Sequence, residues 1–267
     1  MPSRSLPDPL PPSAIPTGLP LMAASDRPFL LIGGSGGVGS AVARRLVAAG
    51  NRVVIASRDT GRLQQLAGEL GIEFHTVDAT SSASVDELFA TVQRDRGAPI
   101  GVAHCVGSIL LKSAIATSDE EWRQTMSINL DSAFYVLRAA VRSMVADGGS
   151  VVLVSSAAAR VGLANHEAIA AAKAGVQGLV LAAAASHARR GIRVNAVAPG
   201  LLRTPLTSSL LANEGTVKFS TALHALGRLG QPDDVASAIC WLLDPAQSWV
   251  TGQVIGVDGG LGTLISR

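Results

Sequence analysis

Directly after the aliphatic run FLLI comes GGSGGVG, which places Gly33, Gly37 and Gly39 in a Gly-x-x-x-Gly-x-Gly spacing with Ser35 and Val38 between them. Glycines so spaced permit a tight turn and close backbone approach to a ligand, and a helix that starts inside such a loop offers its free N–H groups to an anion. Set between a first strand and a first helix, the loop predicts a bound dinucleotide with its pyrophosphate at the helix N-terminus. A second aliphatic run ends in ASRD. An acidic strand tip would accept the ribose 2'-hydroxyl of NAD, whereas Arg58 beside Ser57 offers a charge and a hydroxyl to a 2'-phosphate, so NADP is expected ahead of NAD. The alternative is a solvated Arg58 next to an Asp59 that caps the following helix.

For these loops to meet they must leave neighbouring strands at the same edge of one sheet. Seven runs, FLLIG, RVVIAS, EFHTVD, IGVAHCV, SVVLVSS, IRVNAVA and QVIGVDG, alternate with longer helical patterns, the signature of repeated βαβ units. The runs are apolar nearly throughout, as strands covered on both faces are. The expectation is an α/β protein: a single-domain Rossmann fold over residues 28–267, with a doubly wound seven-stranded parallel sheet and helices on both faces. VGSAVARRLVAAG reads as a helix stopped by Gly50, and a long helix over 119–147 opens at a Ser118 cap with an acidic first turn. The irregular segment 201–230 is long enough to form a lid over the carboxyl edge of the sheet. Residues 1–27 read as a flexible tail, because eight of the 13 prolines lie in the first 28 residues and break any signal or transit helix; Met22 is an alternative start.

Composition narrows the function further. The chain is 48% hydrophobic but 3% aromatic, so its core is built from Ala, Val, Leu and Gly; the net charge of +2 is spread along the chain without a basic block, which argues against nucleic acid. No apolar run reaches the roughly 18 residues of a membrane span. AGVQGLVLAAAAS reads as a buried helix, so a soluble cytoplasmic protein is expected. Cys105 and Cys240 stand in apolar contexts as buried thiols, and the five histidines lack metal-ligand spacing, so no metal is expected.

From Phe29 to Gly260 the chain resembles the short-chain dehydrogenase/reductase family. IGGSGGVG is similar to the family's Thr-Gly-x-x-x-Gly-x-Gly loop with Ile32 in place of the threonine, and VDAT is similar to the segment whose aspartate, Asp78 here, holds the adenine. HCVG occupies the place of Asn-Asn-Ala-Gly and keeps only its glycine, Gly107. SINLDSAF places Asn129 at the family's helix asparagine, VLVSS places Ser156 at the catalytic serine, and NAVAPGLLRTP carries Pro199, Gly200 and Thr204 at the nicotinamide-contacting turn. GRLGQPDDVASAICWLL and WVTGQVIGVDGG resemble the closing helix and strand. The resemblance implies a hydride transfer between a nicotinamide and a small alcohol or carbonyl substrate, and a homotetramer or homodimer assembled through the long helices and a C-terminal edge strand.

The resemblance breaks at HEAIAAAK. The family's tyrosine, four residues before the lysine, protonates the substrate oxygen; here Ile169 precedes Lys173, with neither a proton to give nor a dipole to aim. Lys173 is then expected to hold the nicotinamide ribose, Ser156 to donate a hydrogen bond, and Asn129 to position a water. If a helix follows an Asn165 cap, His166, Ile169 and Lys173 project within about 60° of one another, which makes His166 the first candidate for a surrogate donor. His104 is a weaker one, and Tyr135 lies near the opposite face of its helix. Three functions follow: an NADP-dependent oxidoreductase with an altered proton path, a nucleotide-binding sensor or inactive partner subunit, and a related elimination or isomerisation assisted by His166.

Overall fold

A computed structural model describes residues 26–264 of the chain; the expected flexible tail lies almost wholly outside these residues. Arg27, assigned to that tail on sequence, instead belongs to the folded body. Its guanidinium donates to the carbonyl oxygens of Ala98 at 3.0 Å, Pro99 at 2.9 Å and Gly148 at 2.8 Å. The arginine thereby closes the amino edge of the sheet.

All seven expected strands form: β1 (Phe29–Ile32), β2 (Val53–Ser57), β3 (Glu73–Thr76), β4 (Gly101–His104), β5 (Gly149–Val154), β6 (Ile192–Pro199) and β7 (Val254–Val257). They pair in parallel in the order β3-β2-β1-β4-β5-β6-β7. The chain winds one way from β1 to β3 and the other way from β4 to β7, and the crevice outside such a switch point is where ligands bind in open α/β sheets. Alternation along each strand explains the unbroken apolar runs. Leu30 and Ile32 enter one core, while Phe29 and Leu31 enter the other, so both faces are buried. The edge strands β3 and β7 are only partly covered.

The helices are α1 (Gly37–Ala48), α2 (Thr60–Leu70), α3 (Ser82–Arg96), α4 (Asp119–Met126), α5 (Ser132–Met144), α6 (Glu167–His187), α7 (Ser208–Leu211), α8 (Glu214–Leu223) and α9 (Pro232–Leu243). The helix expected over 119–147 starts at Ser118, whose side chain and Glu121 form a reciprocal capping box. It is not uniform, because a π-helical turn over Ser127–Asp131 separates α4 from α5. Such turns shift the register of one helix face, often at functional sites. Here the turn packs against Gly175 of α6, where a Cβ would lie 2.8 Å from Leu130 Cδ2, and the closeness of the two elements brings Asn129 toward Lys173.

The segment Glu167–Arg190 is long and apolar enough to cross a membrane by length and composition, beyond what the sequence reading anticipated. Ala172, Val176, Val180 and Ala184 of α6 are nevertheless buried within the fold. Over 201–230 the chain folds into α7 and α8, which supply helical structure to the expected lid.

Candidate active site

The loops leaving the carboxyl ends of β1, β2, β3, β4, β5 and β6 border one cleft of about 440 Å³. Its end beside the glycine loop is built from backbone. Gly33 has φ +79°, and a Cβ on Gly39 would lie 2.3 Å from the Gly33 oxygen, so the loop closes on itself only with glycine at 39. A Cβ on Gly37 would meet Thr204 Cγ2 at 2.9 Å, which puts the turn after β6 directly over the start of α1. Gly36 caps α1 without a side-chain bond, and Gly37 and Val38 line the cleft. These are the features a pyrophosphate needs: unblocked first-turn N–H groups and no Cβ in the way.

Beyond the loop, Ser35 and Ser57 join through their hydroxyls at 2.7 Å, and Ser57, Arg58 and Asp78 line the same cleft. Asp59 accepts from the Arg62 backbone N–H at 3.0 Å as the cap of α2, so the cap and a cleft-facing Arg58 coexist. Asp78 Oδ1 accepts from the hydroxyl and the backbone N–H of Thr80, at 2.7 and 3.0 Å. These bonds hold its carboxyl below the usual carboxylate range and leave Oδ2 for a ligand.

At the inner end the cleft is lined by Ser156, Ile169, Lys173, Pro199 and Gly200. Lys173 is buried, and its Nζ donates to the Val154 carbonyl oxygen at 2.9 Å. An ammonium has three donors, so two remain for a ligand. Desolvation lowers its pKa from 10.5 to about 8. Gly107 passes close by, since a Cβ there would stand 3.5 Å from Lys173 Nζ and 3.1 Å from Asn129 Oδ1. Ser156 Oγ accepts from the Ala158 N–H at 3.1 Å, which leaves the hydroxyl proton to be donated.

Asn129 is more fully engaged than its sequence position suggested. Its Nδ2 donates to Ser108 Oγ at 2.9 Å and to the Thr125 oxygen at 3.0 Å, while Oδ1 accepts from the Ser108 N–H at 3.1 Å. One amide hydrogen is therefore spent on the loop after β4 and the other on α4. His166, not Asn165, caps α6. Asn165 adopts φ +62°, so the helical projection that aligned His166 with Ile169 does not extend to residue 166. The His166 Nδ1–H is directed to the Ala164 oxygen at 2.7 Å, and the residue is not among those lining the cleft. His104 is buried with Nε2 3.1 Å from Ser132 Oγ, Nδ1 lacks a partner among the described residues, and burial pushes its pKa down to about 3. It too lies outside the cleft lining. Tyr135 packs against the core beside Arg138.

Several supporting residues were missed on sequence. Ser155 Oγ donates to the Lys173 carbonyl at 2.9 Å and accepts from Gln177 Nε2 at 3.0 Å, tying the end of β5 to α6; the second serine in VLVSS was the available signal. Thr207 Oγ1 donates to the Leu202 oxygen at 2.6 Å and accepts from the Thr204 N–H at 3.0 Å, which shapes the turn that carries Thr204. Both cysteines are free, Cys240 buried and Cys105 half-buried at the cleft, with burial raising each thiol to about 12.

The sequence model of the family described as Enoyl-(Acyl carrier protein) reductase matches residues 33–262. A short-chain type dehydrogenase/reductase structure from Mycobacterium ulcerans superposes with a TM-score of 0.87 at 34% identity, covering 92% of this chain and 93% of that one. The chain belongs to the short-chain dehydrogenase/reductase family. As a member it is an oxidoreductase with an NAD(P)-binding site, and the glycine loop, Asp78 and Lys173 are the residues suited to hold that cofactor.

Among relatives of this short-chain dehydrogenase/reductase, galactitol 2-dehydrogenase (L-tagatose-forming) of Cereibacter sphaeroides is 33% identical over 85% of this chain and 92% of its own length. Cis-4-hydroxycyclohexanecarboxylate dehydrogenase of Sinomonas cyclohexanicum is 36% identical over 89% and 97%. A variant of actinorhodin polyketide ketoreductase with NADPH superposes with a TM-score of 0.85 at 29% identity, over 91% of this chain and all of that one.

Proposed function

We propose that the protein is an NADP-dependent oxidoreductase acting on a small, uncharged alcohol or carbonyl compound without a tyrosine as proton donor. The observation that carries this reading is one cleft bordered by both a glycine-built dinucleotide loop and the Ser156–Lys173 pair. Ile109, Ile169, Leu202 and Leu206 line it as well, and among the described residues Lys173 is the only charged side chain lining its inner end; an apolar substrate suits such walls. The nicotinamide, when bound, supplies hydride. Ser156 donates its hydroxyl hydrogen to the substrate oxygen and fixes the direction of the carbonyl, while the apolar side chains exclude water.

The oxygen also needs a proton. Lys173 offers an ammonium in the cleft wall with two unspent N–H groups, and a pKa of about 8 suits an acid working near neutral pH. The rate of reduction is therefore expected to be level below about pH 8 and to fall as the pH rises past it, where the ammonium becomes an amine. His166 lies outside the cleft lining with its Nδ1–H turned to the Ala164 oxygen. A His166→Ala variant with an unchanged pH profile would leave Lys173 as the source, and loss of reduction would assign the step to His166.

The cofactor preference rests on Arg58. Titration of the pure protein with NADPH and NADH, followed by nucleotide fluorescence, is expected to show Arg58→Ala weakening NADPH about 10- to 100-fold while changing NADH about twofold or less, the scale of one charge-assisted hydrogen bond. Equal losses for both nucleotides would contradict the NADP assignment. A second reading, a nucleotide-responsive sensor or inactive partner subunit, is favoured by the buried Ile169 facing the cleft. Assembly into a homodimer or homotetramer is supported by exposed Trp122 on α4, Phe134 on α5 and Leu181 on α6; a monomer by light scattering would count against it.

A further inference from the structure

The turn after β6 lines the cleft at Pro199, Gly200 and Leu201, and its last N–H lies beyond the end of the strand. That N–H, on Leu201, donates to His224 Nε2 at 3.1 Å. The same ring faces the Ser220 oxygen with Nδ1 at 2.6 Å, so Nδ1 carries the hydrogen and Nε2 is an acceptor. His224 is 3% exposed and stands at the end of α8, 23 residues along the chain from Leu201. A Cβ on Gly200 would lie 2.4 Å from Nε2, so the ring and the glycine fit only together.

No residue of α8 is buried, and Phe219 is largely exposed. The turn also borders another cavity, of about 530 Å³, lined by His224, Gly200, Leu201, Asp258 and Gly259. Without the imidazole bond, the turn would border this cavity with an unpaired N–H, which a half-buried peptide tolerates poorly.

We propose that His224 is a positioning residue for the nicotinamide side of the site, coupling α8 to the Pro199–Leu201 turn through its two ring nitrogens. The inference rests on the dinucleotide reading above. The ring touches neither substrate nor cofactor; it fixes the backbone that does.

Amide hydrogen exchange at Leu201, measured without nucleotide, and NADPH affinity, measured by fluorescence, test the proposal in three variants. Glutamine can place its amide oxygen near the site of Nε2, whereas asparagine can reach the Ser220 oxygen but not Leu201. His224→Gln should keep Leu201 protected and NADPH affinity within about threefold of wild type, while His224→Asn and His224→Leu should speed exchange and weaken NADPH by about tenfold or more, the effect of one lost hydrogen bond. The asparagine variant decides the matter if the leucine variant fails to fold. The proposal is overturned if His224→Asn leaves exchange and affinity unchanged, if it alters exchange alone, or if glutamine fares no better than asparagine. A wild-type protein that binds no NADPH would sink the dinucleotide reading, and the exchange arm would still decide whether His224 holds the turn.

Discussion

Ile169→Tyr is expected to raise kcat for carbonyl reduction by roughly 10²-fold, the lower end of what a positioned general acid contributes, because Lys173 already offers a proton. Residue 169 is buried at the inner end of the cleft, one helical turn before Lys173 on α6 and in the same lining as Ser156. A phenol at that position has the proton that isoleucine lacks, and Lys173 is close enough along the helix face to favour its ionised form. Because the change adds a group used only while charge develops on oxygen, kcat should move far more than KM. Steady-state kinetics with NADPH on a panel of uncharged ketones checks this. Wild-type turnover that is slow but measurable, and faster in the tyrosine variant, supports an enzyme with an alternative acid. Turnover in the variant alone would favour the sensor reading.

Gly39→Ala is expected to abolish dinucleotide binding, with affinity falling at least about 100-fold. The added methyl would sit 2.3 Å from the Gly33 oxygen and 2.8 Å from the Gly34 Cα, both backbone atoms that cannot rotate aside. The loop must open to admit it, which displaces the N–H groups at the start of α1 from the positions an anion requires. Gly68→Ala is a fitting control: it is also a helical glycine, and a Cβ there meets nothing within 4 Å. Fluorescence titration with NADPH, paired with circular dichroism, separates loss of binding from loss of fold. Undiminished affinity in Gly39→Ala would contradict the account of the loop.

The features legible in the sequence are those set by local pattern. Seven apolar runs, the glycine spacing and the Ser118 cap each depend on residues within a few positions of one another, and all appear where expected. Features that depend on distant partners were not legible. Arg27 looks like part of a proline-rich tail until its bonds to Ala98, Pro99 and Gly148 are seen. Asn129 looks free to hold a water until Ser108 and Thr125 take its hydrogens. His166 illustrates the sensitivity of helical projection to a boundary: with the cap one residue later than expected, the residue leaves the regular spiral and its ring turns to Ala164. His224 had no local signature at all, because its partners lie 4 and 23 residues away and the latter is a backbone N–H.

The most direct test of an NADP-dependent oxidoreductase is a single-turnover reaction of wild-type protein with NADPH deuterated at C4 of the nicotinamide and a panel of small uncharged ketones, with the alcohol products read by mass spectrometry. Deuterium on the carbinol carbon of at least one product is the predicted result. Saturating NADPH binding with no deuterium in any product would contradict the account and leave a nucleotide-binding protein without redox turnover.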